Sequence, residues 1–579
     1  MRKLLLLSVL AIFIALPMNA IRPIKKLWPM TQPDGTTVRV YVHGDRGAAY
    51  YTTVDGQVLV MTDTDELRYA IIENGRLIPS DFLAHEITER SEQEKEFLDG
   101  QQVLSRLSEL KRSKRKSRYI RPRKEIYVST DDGLGKYGRS GLGPVKSIGK
   151  VNIPVIMVQF NDTEFKPSTT KEHMTAYFNE KGYRREPNCV GSVKDYFVAQ
   201  SRGLFEPTFD VLGVVTLGKS YRYYGKNNTN GDDLHVDELV VDAVKAAMDQ
   251  GADFSKYLDE DGNIQFVSVL YAGKGEATSS SNPYLVWPQQ FDFEPNFNIA
   301  GFHFNGCFVS NELDDNNTLM GMGVFCHEFG HALGLPDFYV TDYSYDNDAP
   351  FGFWSIMDEG GYIRQGRAPI GYTAYERSCL GWLDIPELTD KSYIKLMPTE
   401  SDHSDVAVLI RNPNNKKEYF ILENRSSAST WYPETCSDSY SSNTNTFSPG
   451  LLVTHITYDK RAWEENEVNN IQDSKRAYVV TANGSEFEWD AQKEHLYGNG
   501  VNEIKSFSLF DGSKLEKPVY KIESNADGTL SFHFLVPNAI EEVVSDETQD
   551  NHYYDLQGRR IENPTRGIYI KNGKKYAIK

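Results

Sequence analysis

The sequence predicts an α+β protein of several domains, in which one apolar helix lies among strand-rich regions. The chain has 579 residues, which is enough for three or four domains. Alternating apolar and polar residues broken by turn pairs such as Asp55-Gly56 occur towards both ends. Residues 321–333 instead form an apolar helical pattern that ends at Gly334. We therefore expect a mixed central domain flanked by β-rich regions.

The segment 1–20 has the pattern of a secretory signal peptide. Arg2 and Lys3 precede a short apolar run over residues 4–16, too short for a stable anchor. We expect cleavage after Ala20. Met18, at position −3 relative to this cleavage site, is not the small residue preferred there. No other apolar run is long enough to span a membrane. Because of the signal peptide, the sequence predicts export, with the protein secreted or held at the cell surface.

Residues 21–124 are predicted to be a propeptide that ends in a cleavable linker. A small β-meander is expected over residues 32–77, followed by a charged helix over 91–110 that Ser91 and Glu94 begin as a capping box. Most positions of the segment 111–124 are Lys or Arg. This composition favours cleavage by a trypsin-like protease or by the chain itself. A plain solvated linker is the alternative.

Charge and cysteine content exclude several classes of protein. The net charge of −18 favours solubility and argues against nucleic-acid binding. Five cysteines leave at least one free thiol in an exported chain. None lies between Ile21 and Lys150, so inhibition through a propeptide cysteine is excluded. Cys326 is expected to belong to the core.

The segment His327-Glu328-Phe329-Gly330-His331 has the spacing of a catalytic zinc site. Residues four apart lie on one face of a helix, so His327 and His331 can aim two imidazoles at one ion. Glu328 lies about a quarter turn away and can act as general base. Gly334 permits a turn that brings Asp337 back as third ligand, leaving a position open for water. Glu359 and Glu376 are the alternative third ligands.

A methionine follows the zinc motif at a distance that favours a role beneath the metal. In metzincin peptidases a turn carrying a methionine forms an apolar floor under the zinc, and Met357 in Ser355-Ile356-Met357 is the matching residue. Ordinary core packing is the alternative. Some metzincins also place a tyrosine two residues after this methionine. Here Asp358 and Glu359 follow, and the nearest tyrosine is Tyr362, so the oxyanion role stays open.

Residues 151–384 resemble the immune inhibitor A family of secreted bacterial metallopeptidases. The resemblance rests on the zinc motif and on blocks in the same order, namely residues 153–162, 191–197, 201–203, 254–257, 287–288, 311–313, 355–357, 375–377 and 380–383. It implies a zincin-like catalytic domain over residues 125–384, with Zn²⁺ held by His327, His331 and Asp337 and with Glu328 as base. The implied activity is hydrolysis of protein or peptide substrates. A catalytically inactive surface binding protein that keeps the scaffold is the alternative.

Three further expectations concern the rest of the chain. Residues 302–310 are expected to form the strand beside the cleft, where a substrate could pair. The acidic segment 259–263 resembles a calcium loop, but its glycine comes too early for an EF-hand, so a plain turn is preferred over structural Ca²⁺. Asp342, Asp346 and Asp348 form a similarly weak acidic cluster.

The C-terminal part is predicted to hold two β-rich units. Residues 385–537 should form a β-rich domain with strands at 419–424 and 450–456, separated by a polar loop over 437–448. His455 is expected to be structural. Residues 541–579 resemble the C-terminal sorting signal of the type IX secretion pathway. This resemblance implies that the type IX secretion machinery is a partner. A small β-hairpin cap is the alternative.

Overall fold

The computed structural model describes most of the chain, with gaps. The described residues are 18–20, 27–43, 50–99 except 63, 65, 74 and 75, 103, 131–227, 233–278, 282, 284–293, 297–341, 349–432, 435–437, 444–446, 448–471, 474–485, 493–537, 552–571 except 556 and 557, and 574–578. Most of the predicted signal peptide, the basic linker 111–124 and the acidic residues Asp342, Asp346 and Asp348 lie outside them. Helices and strands are both abundant, so the α+β class is confirmed. None of the described helices has the length and apolar character that crossing a bilayer requires.

An antiparallel six-stranded meander forms the N-terminal unit, as predicted. Its strands are β2 (Trp28–Thr31), β3 (Thr37–His43), β4 (Tyr50–Thr53), β5 (Val58–Met61), β6 (Leu67–Glu73) and β7 (Arg76–Leu83), and each pairs with the next. The helix Glu92–Leu98 follows, and Ser91 and Glu94 form the predicted capping box. This helix ends at Leu98, so the prediction of one helix from 91 to 110 was too long. Gly100, a poor helix former, lies just beyond this end.

The central domain is a mixed sheet with helices on both faces. Its strands are β8 (Gly149–Gln159), β9 (Phe205–Thr216), β10 (Val267–Lys274), β11 (Gln289–Asp292) and β14 (Gly306–Leu313), with β12 (Asn298–Ile299) and β13 (Phe302–His303) as a separate hairpin. A strand at the N-terminus, β1 (Met18–Ala20), extends this sheet, and the order is β1-β11-β14-β10-β8-β9. The three pairs β8–β9, β8–β10 and β10–β14 are parallel.

Burial on both faces explains the nearly continuous apolar character of β8. Ile153, Val155 and Met157 share one core cluster with the helices Lys171–Asn179, Val193–Gln200 and Met322–Leu333. Ile156 and Val158 point to the other face, into a second cluster that includes the helix Val236–Asp249. Two smaller helices are Tyr221–Tyr224 and Ala374–Cys379, and the 3-10 helices of this domain are Phe254–Tyr257, Glu276–Thr278, Gly352–Trp354 and Glu359–Tyr362.

The region after residue 385 is β-rich, as predicted. Its strands are β15 (Ser392–Leu396), β16 (Ala407–Asn412), β17 (Asn415–Arg425), β18 (Thr435–Ser437), β19 (Thr444–Thr446), β20 (Gly450–Thr457), β21 (Ala477–Val479), β22 (Phe507–Ser508), β23 (Lys514–Leu515), β24 (Val519–Ser524) and β25 (Leu530–Phe534), and it also contains the α-helix Lys460–Glu464 and the 3-10 helix Lys493–His495. The strands predicted at 419–424 and 450–456 are confirmed within β17 and β20, which pair with each other. The predicted loop 437–448 contains part of a two-stranded hairpin, β18–β19.

The C-terminal end of the chain forms a small antiparallel sheet. Its strands are β26 (Tyr553–Tyr554), β27 (Arg560–Ile561), β28 (Gly567–Lys571) and β29 (Lys574–Ile578), in the order β27-β26-β28-β29. Short strands with glycine turns were expected here, although two or three rather than four. The sorting function stays a prediction.

Candidate active site

The helix Met322–Leu333, called the metal-site helix below, carries the predicted zinc motif. It ends at Gly334, whose φ of 112° lies in the left-handed region that glycine adopts without strain. Every residue of the helix is buried. Glu328 is fully buried and His331 is only 3% exposed. The strand β1 contacts this helix.

Three ligand atoms converge at the end of this helix. Oδ1 of Asp337 lies 3.1 Å from Nε2 of His327 and 3.2 Å from Nε2 of His331. Among the described residues these three form the one group of His, Cys, Asp or Glu side chains whose ligand atoms are close enough to share an ion. Ligand atoms around a tetrahedral zinc are about 3.4 Å apart. The observed spacing therefore fits a zinc ion.

Hydrogen bonds fix the tautomer of both histidines. Nδ1 of His327 lies 2.7 Å from the carbonyl oxygen of Ile356, and Nδ1 of His331 lies 2.8 Å from that of Leu335. Because a carbonyl oxygen can only accept, each Nδ1 must carry the proton. Each Nε2 then presents a lone pair, which is the form that binds a metal. Neither Nε2 has a hydrogen-bond partner, and neither does Oδ1 of Asp337.

The charge of Asp337 suits a metal ligand. Burial raises the pKa of this carboxyl, but a positive charge on the adjacent imidazoles of His331 and His327, which a bound metal cation would replace, holds the pKa well below its usual range. Asp337 therefore stays ionised in the folded protein. A buried anion with one oxygen left without a partner is unfavourable unless a cation neutralises it. The donor set thus fits zinc in both geometry and charge.

Glu328 does not belong to the ligand cluster and contacts strand β11 of the central sheet. Its Oε2 accepts a 3.1 Å hydrogen bond from the backbone N–H of Gln290, which lies in β11. Strand β11 pairs antiparallel with β14 on one side and antiparallel with β1 on the other, where Asn19 lies opposite Gln290. The sheet edge beside Glu328 therefore accepts an extended segment as an added strand.

The prediction that residues 302–310 supply the strand beside the cleft is wrong. These residues divide between β13 and β14, and β14 lies inside the sheet between β11 and β10. Both of its edges are already paired, so no further strand can add there. The sequence did not single out β11, because a short run with two glutamines has no strong strand pattern.

The segment Ser355-Ile356-Met357 lies against the metal-site helix, as a methionine floor requires. The carbonyl of Ile356 holds His327, and the backbone N–H of Met357 donates to Ser355 Oγ over 3.0 Å. A Cβ atom on Gly330 would lie 2.6 Å from the Met357 sulfur, so this glycine permits the close approach of the turn. Ser355 Oγ in turn donates to Glu376.

The alternative third ligands lie elsewhere. The carboxylate of Glu376 bonds Ser355 and the backbone N–H of Thr373, where it completes a capping box. Glu359 is buried but does not belong to the ligand cluster. Tyr362 is buried in the 3-10 helix Glu359–Tyr362, and its role stays open.

Two other sequence expectations concern residues away from the site. His455 bonds Tyr478 and Glu418 within the β-rich domain, in agreement with a structural role. In the segment 259–263, Oδ1 of Asp259 accepts from the backbone N–H groups of Asp261 and Asn263, and Gly262 has a φ of 78°. These contacts are those of a turn, and calcium there stays untested.

Comparison with known proteins identifies the domain that holds this site. Residues 156–381 match the family model described as immune inhibitor A peptidase M6, catalytic domain. This segment of the chain is therefore similar to the catalytic domain of M6 peptidases. Its metal-site helix, Asp337 and the Met357 turn all lie within the matched residues. This match supports the resemblance seen in the sequence.

Two curated relatives are similar to parts of the chain. The pre-pro-metalloprotease PrtV of Vibrio cholerae serotype O1 (strain M66-2) is 26% identical over 232 residues, which cover 35% of this chain and 25% of that protein. Immune inhibitor A of Bacillus thuringiensis subsp. alesti is 25% identical over 288 residues, which cover 42% of each. The chain thus spans less than half the length of these relatives.

Proposed function

We propose that this chain is a secreted zinc endopeptidase that is made as an inactive precursor. The observation that carries the proposal is the convergence of three buried ligand atoms, on His327, His331 and Asp337, that have no hydrogen-bond partner. The M6 domain match and the name metalloprotease given to PrtV support the same class of reaction.

The residues of the site have separate tasks in peptide hydrolysis. His327, His331 and Asp337 would hold a zinc ion, which when bound polarises the scissile carbonyl and makes an attacking water more acidic. Glu328 takes the proton from that water and delivers it to the leaving amine. Burial of Glu328 strengthens its electrostatic influence on the water because the local dielectric is low.

The substrate binds as an extended strand along β11. The antiparallel pairing of β1 with this edge supports the proposal, because the backbone groups of β11 already accept an added strand beside Glu328. Signal-peptide cleavage after Ala20 would remove β1 and leave the edge open to a substrate.

The N-terminal unit acts as a propeptide and the segment 541–579 as an export signal. Tyr51 of the meander bonds Glu276 of the central domain, so the unit packs directly on the catalytic part. The four-stranded sheet after residue 552 is proposed to be read by type IX secretion machinery. Deleting residues 541–579 in the native host should leave the protein inside the cell envelope, and export of the shortened chain would contradict this assignment.

Elemental analysis combined with hydrolysis of casein tests the proposed reaction. The purified mature protein should contain one zinc per chain, lose activity on treatment with a chelator and regain it when zinc is restored. A protein that binds zinc but cleaves neither casein nor mixed peptides would instead support the inactive binding protein. A protein that binds no zinc would overturn the metal site itself.

A further inference from the structure

The third proposed zinc ligand is held by a residue from the β-rich domain. The side-chain oxygen of Asn466 accepts a 2.7 Å hydrogen bond from the backbone N–H of Asp337. The side-chain nitrogen of Asn466 donates a second bond, also 2.7 Å, to Oδ2 of Asp337. Asn466 follows the helix Lys460–Glu464, 129 residues further along the chain. One amide therefore binds both the backbone and the carboxylate of Asp337.

The orientation of this amide follows from its partners. A backbone N–H can only donate and a carboxylate oxygen can only accept, so the oxygen and nitrogen of Asn466 cannot be exchanged. Because Oδ2 of Asp337 is engaged by Asn466, Oδ1 is the oxygen left to face His327 and His331. Asn466 therefore selects which carboxylate oxygen points at the ligand cluster.

The backbone around Asn466 is itself fixed. Asn466 has a φ of 55°, in the left-handed region that Gly, Asn and Asp tolerate best. Its carbonyl oxygen accepts a 2.7 Å bond from Thr341 Oγ1, at the far end of the loop that begins at Asp337. Asn470 also bonds Thr341, and Asn469 Nδ2 donates to the carbonyl of Phe338 over 2.6 Å. The segment 466–470 thus holds the whole loop 337–341.

We propose that Asn466 is a positioning residue for the metal centre, so that the β-rich domain completes the site of the M6 domain. The proposal rests on the proposed zinc site and adds a residue outside the matched segment 156–381. Groups that bond metal ligands in this way typically change metal affinity about 10- to 100-fold, since they fix the ligand before the ion arrives. A contact that served only domain packing would not change zinc affinity selectively.

Two substitutions at Asn466 separate positioning from folding. Asn466→Gly suits the left-handed backbone and removes both side-chain bonds to Asp337. Asn466→Asp keeps the size and the acceptor for the backbone N–H, but replaces the donor to Oδ2 with a second negative charge. Asn470→Ala is the matched control, since it removes contacts to Thr341 in the same loop and none to Asp337.

The test is the zinc dissociation constant of the full mature chain, measured by competition with a chromophoric chelator. Melting temperatures of the metal-free and zinc-loaded forms are measured alongside. We expect Asn466→Gly and Asn466→Asp to weaken zinc binding by about 10- to 100-fold, while the metal-free protein stays folded, with its melting temperature lowered only by the loss of side-chain hydrogen bonds. Asn470→Ala should weaken it by less than about threefold.

Three outcomes decide the proposal. Zinc affinity within twofold of the wild type in both Asn466 variants would overturn it. An equal loss in Asn470→Ala would also overturn it, because general loosening of the loop would then explain the effect. If the wild type itself binds no zinc, the proposed function fails. If the wild type binds zinc and both Asn466 variants bind it equally well, only the role of Asn466 fails. Should Asn466→Gly fail to fold, the near-isosteric Asn466→Asp decides.

Discussion

The hydroxyl of Tyr51 donates a 3.2 Å hydrogen bond to Oε1 of Glu276, and both residues are buried. Tyr51 belongs to the N-terminal meander and Glu276 to the central domain, so this bond joins the predicted propeptide to the catalytic part. The amide of Asn227 donates to the same carboxyl. Burial raises the pKa of Glu276 well above its usual range, and the nearby Asp233 raises it further.

The first prediction is that Glu276→Gln stabilises the precursor at neutral pH. The folded-state pKa of Glu276 lies above its ordinary value of 4.5, so the folded protein binds a proton that the unfolded chain releases. The resulting stability is present below pH 4.5 and is lost as pH rises towards the folded pKa, at no more than about 1.4 kcal/mol per pH unit. Melting temperatures of the two proteins should therefore differ more at pH 7.5 than at pH 5.

Tyr51→Phe is the companion variant, because it removes only the hydroxyl. It should lower the stability of the precursor by about 0.5–1.5 kcal/mol, the usual contribution of one hydrogen bond. If the melting temperatures of the wild type and of Glu276→Gln change with pH in the same way, Glu276 does not carry a raised pKa in the folded protein.

The sequence predicted the metal-site helix and the convergence of His327, His331 and Asp337, because these relationships are local. His327 and His331 are one helical turn apart, and Asp337 follows closely after Gly334, so spacing and glycine alone bring the three side chains together. The meander and the strands β17 and β20 were also predictable, since alternating polarity is read within a short segment. In each case the pattern and the structure concern the same stretch of chain.

The partners that complete the site come from far along the chain, and no local pattern indicates them. Gln290 of β11 bonds Glu328 from 38 residues away, and Asn466 bonds Asp337 across 129 residues. A glutamine or an asparagine in isolation is typical of loops and surfaces. The asparagines at 466, 469 and 470 were the one available signal, although asparagine runs are usual in turns.

The second prediction concerns the general base. Glu328→Gln removes the proton acceptor but keeps the size of the side chain, so peptide hydrolysis should fall by at least about 100-fold. Zinc content should stay near one per chain, because Glu328 is not in the ligand cluster. Casein hydrolysis and elemental analysis of the same preparation measure both quantities. A variant that cleaves at the wild-type rate would rule out this role for Glu328.

The third prediction concerns the third ligand. Asp337→Ala should lose most of its zinc and its activity, since only the two histidines remain. Glu359→Gln and Glu376→Gln are the controls, because neither carboxylate belongs to the cluster, and both should keep full zinc content. Zinc loss in either control, combined with full zinc in Asp337→Ala, would transfer the ligand role to a glutamate.

The fourth prediction compares two glycines of the metal-site helix. A Cβ on Gly323 would collide with the backbone carbonyl of Gly361, whereas a Cβ on Gly330 would meet the movable Met357 side chain at 2.6 Å and the Tyr372 hydroxyl at 3.0 Å. Overpacking a well-packed core typically costs about 1–3 kcal/mol. Gly323→Ala should therefore lower the free energy of unfolding more than Gly330→Ala does. Urea unfolding of both variants measures the difference. The reverse order would show that the Met357 turn is more rigid than the backbone at Gly361.

The last prediction is that activation cleaves the chain within the segment 111–124. Most of its positions are Lys or Arg, which keeps such a segment solvated and reachable by a trypsin-like protease. Removing the residues before the cut also removes Tyr51 and the meander that packs on the central domain. Replacing every Lys and Arg of the segment with Ser or Gln should leave a longer, less active secreted form, and N-terminal sequencing with a casein assay measures both effects. A fully active secreted species that still begins near Ile21 would refute the propeptide assignment, because the meander would then be a permanent part of the working enzyme.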